Sequence, residues 1–149
     1  MRNAVLSEQT FPVRVYYEDT DAGGVVYYAN YLKFLERART EWLRALGADQ
    51  TRLAGEHRVQ FVVHSLSIDY RRPARLDDVL IVRSRVSKLT RASLTFDQQV
   101  QRQTEPSDPA SVETLVNASV RICCVSTETL AAAPLPDHLH TLLSQHLSA

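Results

Sequence analysis

Two aspartates and two glycines stand just ahead of a helix-like run: Asp19, Asp21, Gly23 and Gly24, within Tyr16 to Gly47, YYEDTDAGGVVYYANYLKFLERARTEWLRALG. The first N–H groups of a helix lack intrahelical partners and carry roughly half a positive charge, which suits a developing oxyanion. A carboxylate beside such an end resembles half of an acyl-transfer site. Aspartate before a helix is also an ordinary cap or turn former, so spacing alone leaves both readings open.

The helix itself is written clearly. Tyr31, Leu35, Ala38, Trp42 and Ala45 recur at the spacing of one buried face, with Lys33, Glu36, Arg37, Arg39, Thr40 and Arg44 on the others. Asn30 is placed to cap its start, and Gly47 to take the left-handed conformation past its end. A strand, Phe11 to Glu18, delivers the aspartates: Phe11, Val13, Val15 and Tyr17 alternate with Pro12, Arg14, Tyr16 and Glu18, and Pro12 marks an edge or entry. Tyr17 could line a pocket or join the core on that alternation. Residues 1 to 10 show no periodicity and read as a loose lead-in.

After Gly47 a polar connection with one short helical turn leads to a strand over Val59 to Tyr70. There the run Phe61-Val62-Val63 predicts burial on both faces before the alternation of Leu66, Ile68 and Tyr70. Pro73, Asp77 and Asp78 are turn chemistry. Two strands follow, Val79 to Val86 and Ala92 to Gln103, joined by a loop over 87–91. Beyond the exposed loop holding Pro106 and Pro109, Val112 to Val125 is the last strand, with Val116, Ala118, Val120, Ile122 and Cys124 facing one way. Asp137 is placed to cap a tail helix over 137–147, whose Leu139, Leu142, Leu143 and Leu147 form a stripe. One long helix and about five antiparallel strands predict an α+β layer, and one helix cannot cover such a sheet, so dimerisation is expected.

Composition narrows the function. The 149 residues suit one domain with a real core. Lys plus Arg and Asp plus Glu number 17 each, so no global field recruits nucleic acid or an anionic membrane. No leader or spanning segment is visible, and the adjacent Cys123 and Cys124, which a strand points in opposite directions, read as reduced fillers of a cytoplasmic protein. His138, His140 and His146 lack zinc-site spacing, His64 reads as a hydrogen-bonded strand histidine, and no nucleotide loop is present.

The run Tyr16-Tyr17-Glu18-Asp19-Thr20-Asp21-Ala22-Gly23-Gly24-Val25-Val26-Tyr27-Tyr28-Ala29-Asn30-Tyr31 resembles the hotdog-fold acyl-CoA thioesterases, in the Tol-Pal-associated and 4-hydroxybenzoyl-CoA thioesterase branches. Phe61-Val62-Val63, Tyr70, Pro73 to Asp78 and Arg91-Ala92-Ser93-Leu94 follow in the family's order, so the resemblance spans roughly 11–125. It implies a hotdog fold, an antiparallel sheet of about five strands wrapped on one long central helix. It further implies a homodimer or homotetramer with the active site between subunits.

By the same resemblance Asp21 is the catalytic carboxylate and the backbone N–H of Tyr28 polarises the thioester carbonyl. The Tol-Pal branch often has His where Tyr28 stands, as Tyr does in the hydroxybenzoyl branch; a backbone donor survives that change. Resemblance and chemistry together select Lys88 and Arg91 for the CoA phosphates, with Arg71, Arg72 and Arg75 as second choices. Acyl-CoA is the implied substrate, acyl carrier protein a further partner or alternative donor, and a scaffold binding acyl carrier protein or lipid-synthesis enzymes the alternative function. Thioester hydrolysis requires no metal or redox cofactor. A carboxylate of ordinary pKa, about 3.9, is a weak base at neutral pH, so direct attack through a mixed anhydride and activation of water both stay open.

Overall fold

The computed structural model describes residues 8–147. Five strands, β1 (Glu8–Arg14), β2 (Val59–Tyr70), β3 (Val79–Leu89), β4 (Ser93–Gln103) and β5 (Val112–Ser126), form one sheet in the order β1-β3-β4-β5-β2. Every neighbouring pair is antiparallel. The long helix α1 (Asn30–Ala45) lies across one face, followed by a short turn α2 (Gln50–Arg52), and α3 (Asp137–Gln145) closes the chain. This is the α+β layer the residues predict and the hotdog arrangement the resemblance implies. Among the described residues no helix is long and apolar enough to cross a membrane.

The predicted helix face is buried through Tyr31, Leu35, Ala38 and Trp42, and Phe34 and Leu43 join it. Trp42 meets Phe96 of β4 edge-on, with ring centroids 5.3 Å apart. Burying each such side chain contributes about 1.5–3 kcal/mol, so this stripe holds the helix to the sheet. Two positions depart from the pattern. Ala45 is exposed, because α1 ends there and Gly47, at φ +92°, turns the chain away. Arg39 is buried, only 8% exposed, because Gln98 on β4 offers its guanidinium an acceptor beneath the helix.

Several boundaries shift for identifiable reasons. β1 begins earlier than predicted and ends at Arg14, because the Asp19 carboxylate accepts from Tyr16 N–H (2.8 Å) and draws Tyr17–Asp19 into a 3₁₀ turn. Tyr17 is consequently 82% exposed, in neither core nor cleft. Asn30 is the first helical residue rather than the cap, its Nδ2 donating to Asp19 O at 2.8 Å. Asp137 likewise opens α3, with Pro136 at the cap position, while Leu139 and Leu143 are fully buried. β3 runs on to Leu89, further than predicted, and β4 opens at Ser93, leaving a tight turn held by Thr90 Oγ1, which accepts from Ser93 N–H at 3.0 Å. Of the predicted lead-in, residues 1–7 lie outside the described residues and 8–10 belong to β1.

The largest departure concerns β2. It is an edge strand, and the predicted two-sided burial of Phe61-Val62-Val63 does not occur: Phe61 is half-buried and Val62 and Val63 are exposed, as are Leu66 and Tyr70. Its register with β5 shifts between Val63 and Ser65, with His64 exposed at the irregularity. The face of β5 towards the helix, Val116, Ala118, Val120, Ile122 and Cys124, is buried as its alternation predicts.

Candidate active site

The acidic turn is a miniature hairpin built by its own sequence. Thr20 pairs with Val26, Asp21 N–H donates to Val25 O (2.9 Å), and Tyr27 N–H donates to Asp19 O (3.0 Å). Gly24 takes φ +81°, which side chains resist. At Gly23 a Cβ would sit 3.3 Å from Asp21 Oδ1, a tight contact to which the carboxylate would have to give way. Instead the Gly23 N–H donates to that oxygen at 2.8 Å. The two aspartates therefore separate in role. Asp19 is spent on holding Tyr16, whereas Asp21 is exposed and no described residue donates to its Oδ2.

The ladder hands the chain directly to α1. Asn30 N–H bonds Tyr27 O (2.8 Å) and Leu32 N–H bonds Ala29 O (3.2 Å), a tightened first turn. No described residue accepts from the Tyr28 N–H, which lies in the turn one residue ahead of the N-cap Ala29. Val26 N–H donates to Ala74 O (2.8 Å) and Val25 bridges Arg75, so the turn is pinned to the segment after β2.

Beside this helix start opens a cleft of about 230 Å³ lined by Val26, Tyr28, Tyr31, Tyr70, Arg71, Arg72 and Pro73. Tyr70 is the residue that the strand pattern does not single out. Its ring lies 6.1 Å from Tyr28, edge-on, and 5.5 Å from Tyr31, and its hydroxyl donates to Tyr28 O at 3.1 Å. The Tyr31 hydroxyl accepts from Ala74 N–H at 2.9 Å, and burial pushes its pKa upwards. The signal that could have found this cleft is Tyr28 and Tyr31 at i, i+3 together with a tyrosine closing the strand before Arg71-Arg72-Pro73.

The predicted cations divide between the two ends of the sheet. Arg71 and Arg72 line the cleft, tethered by Asp69 (3.3 Å) and Glu113 (3.1 Å). Arg75 lies beside the acidic turn, its N–H bonded to Asp78 Oδ2 (2.9 Å). Lys88 and Arg91 are exposed at the far end of β3, an 11-residue strand and so roughly 30 Å from the Asp78 end. Within one chain they are not brought to Asp21. The Asp21 carboxylate lines neither the tyrosine cleft nor the groove between α1 and β2, where Leu32, Leu35, Arg39, Val63 and Leu66 enclose about 320 Å³.

Other candidates fall into place. The Cys124 thiol is pushed up to about 11 by burial and is not a nucleophile at neutral pH. His138 and His140 sit on α3, and no group of three or more His, Cys, Asp or Glu among the described residues gathers closely enough to hold a metal ion.

A family model described as the thioesterase superfamily matches residues 23–107. The chain belongs to that superfamily. It is 46% identical over 127 residues to the acyl-CoA thioesterase YbgC of Haemophilus influenzae, covering 85% of this chain and 88% of the relative. Among solved structures, a probable thioesterase from Bartonella henselae superposes with a TM-score of 0.78 at 36% identity, over 87% of this chain and 99% of that one. A 4-hydroxybenzoyl-CoA thioesterase from a Pseudomonas species shares the fold, with a TM-score of 0.82 at 23% identity over 91% of this chain and 99% of that one. In this superfamily member the matched region opens at Gly23 and so takes in Tyr28, α1 and the tyrosine cleft.

Proposed function

We propose that this chain hydrolyses acyl-CoA thioesters, with Asp21 as the carboxylate and the helix-start amide of Tyr28 as the oxyanion donor. The observation that carries the reading is the separation of the two aspartates: the carboxylate of Asp19 caps a turn, while that of Asp21 is held by one N–H with its second oxygen unengaged. The name of the H. influenzae relative supports the substrate class. In the reaction, Asp21 either attacks the thioester carbon, expelling CoA thiolate and leaving a mixed anhydride for water to cleave, or takes the proton of a water that attacks instead. Both routes pass through a tetrahedral oxyanion that the unpaired amide can stabilise. The tyrosine-lined cleft favours a short or aromatic acyl group. The two free thiols suit a reducing, cytoplasmic setting.

The site needs a second copy. β2 offers an open edge with Val62, Val63, Leu66 and Tyr70 exposed. Two β2 edges paired antiparallel place the Tyr70 end of one chain beside the Val59 end of the other. The Val59 end shares its end of the sheet with the β3–β4 turn, through the pairings Val59 with Ser126, Cys123 with Ser93, and Leu94 with Leu89. The second copy thereby brings Lys88 and Arg91 towards this chain's cleft, where they can meet CoA phosphates.

The test compares wild type with Asp21→Asn on a panel of short, long and aromatic acyl-CoAs and matching acyl carrier proteins, following thiol release. Asparagine keeps the acceptor for Gly23 N–H, so the turn should survive while the rate falls roughly 10²- to 10⁴-fold. Equal rates for the two proteins would remove Asp21 from the mechanism. Single turnover in ¹⁸O-water separates the routes, since only direct attack leaves label in Asp21.

A further inference from the structure

We propose that Tyr70 is a positioning residue for thioester hydrolysis. From the last residue of β2 its hydroxyl holds the peptide between Tyr28 and Ala29 at the start of α1, and so aims the amides of that turn at the thioester oxygen. The inference rests on the activity proposed above. Its ground is that Tyr28 O, in the tightened turn where Leu32 N–H bonds Ala29 O, is met by a side chain, the Tyr70 hydroxyl at 3.1 Å.

That contact is over-determined. The Tyr70 ring is wedged between Tyr28, edge-on at 6.1 Å, and Tyr31, at 5.5 Å. Tyr31 is itself fixed, 3% exposed and accepting from Ala74 N–H. Ala74 O in turn accepts from Val26 N–H, so one short segment braces both the aromatic wedge and the acidic turn. The peptide plane between residues 28 and 29 is therefore set by β2 as well as by helix geometry.

A hydrogen bond accepted at a carbonyl oxygen polarises the N–H of the same peptide, here Ala29, which lies next to the Tyr28 donor. Holding that plane also removes the freedom of the first helical turn to tilt when an oxyanion forms nearby, and preorganised donors are what stabilise such charge. Partial desolvation and the neighbouring Tyr28 raise the Tyr70 pKa above its ordinary 10, so the hydroxyl is a neutral donor throughout the physiological range. The cost of losing the bond should fall on the transition state rather than on ground-state binding, because the thioester oxygen gains charge only as the reaction proceeds.

The experiment is Tyr70→Phe in the full chain, with benzoyl-CoA and acetyl-CoA as substrates. The thermal midpoint and the NMR amide resonances of Tyr28 and Ala29 are recorded alongside. Phenylalanine keeps the ring contacts and deletes only the donor. Expected are a roughly 5- to 10-fold loss of kcat, the rate equivalent of one net hydrogen bond, a KM within about twofold of wild type, and a displaced, faster-exchanging Ala29 amide. An unchanged kcat, or a loss carried wholly by KM or by the melting midpoint, overturns the proposal. Should wild type release no CoA from either substrate, the proposed activity fails on those substrates and the amide resonances decide alone: unmoved signals refute a hold on the turn, and displaced ones establish it. Tyr70→Leu, which removes the ring too, should add a rise in KM that phenylalanine lacks.

Discussion

Replacing Gln98 by leucine should unfold the protein far more readily than its conservative size suggests, and replacing Arg39 at the same time should restore much of the loss. Gln98 is 1% exposed at the centre of β4, where its Oε1 accepts from Arg39 Nη1 (3.1 Å). Its Nε2 donates to Leu35 O (3.0 Å) and to Ser84 Oγ (2.9 Å). One side chain thus joins α1 to two central strands. A hydrogen bond to a charged group is worth about 1.5–3 kcal/mol, and each neutral one about 1 kcal/mol. Burial lowers the Arg39 pKa, yet a guanidinium stays charged, so it cannot escape by losing its proton. Gln98→Leu should therefore cost about 3 kcal/mol, offset only partly by the apolar contacts leucine gains.

Arg39→Met alone leaves Gln98 Oε1 buried without a donor, costing about 1–3 kcal/mol. The double variant Arg39→Met/Gln98→Leu removes both ends of the strongest bond and should lose no more than either single. The coupling is then about 2 kcal/mol or more, well beyond the roughly 0.3–0.5 kcal/mol scatter of independent sites. Urea denaturation at one protein concentration measures it, since self-association would otherwise shift the midpoints. Additive losses would refute the reasoning and return Arg39 to the solvated face that its residue type suggests.

Acid sensitivity should be traceable to Glu113. The hydrogen bond from Arg102 holds its carboxyl below the ordinary value of 4.5, so its contribution to stability is complete above that value and fades as pH falls through the lower native one. Glu113→Gln should flatten the acid limb of a stability profile below about pH 4.5 and leave the neutral region's slope unchanged; an identical limb counts against it. Self-pairing through the open strand should be sensitive to one charge: Leu66→Lys places a cation in the groove between α1 and β2, and sedimentation should show lighter particles than wild type. Unaltered sedimentation would put the interface elsewhere.

What the sequence disclosed and what it hid divide along physical lines. The β5 face and the Trp42 stripe were legible because burial on one side imposes a period, and Gly47 was legible because a left-handed residue punctuates a helix end. From spacing alone Asp21 was one of two aspartates, and only the resemblance singled it out. The physical difference between them, that Asp19 caps Tyr16, is a bond between residues three apart that no periodicity marks. Arg39 was misplaced because its acceptor, Gln98, lies 59 residues away on the sheet. The exposure of Val62 and Val63 was hidden because an apolar run records that something will cover it, and not whether the cover belongs to the same chain.

β2 is where folding and chemistry meet. Its outer edge is unpaired among the described residues, and its last residue, Tyr70, holds the turn that leads into α1. A slip of one residue in the pairing of β2 with β5 would send every β2 side chain to the opposite face, Tyr70 included. Register against β5 and aim at the helix start are therefore one constraint, and the irregularity between Val63 and Ser65 is a fixed feature of that pairing. It follows that substitutions in the middle of β2 should impair turnover before they impair folding. The strand's pairing with β5 keeps the fold intact, while the orientation of Tyr70 depends on the strand's full length being held straight.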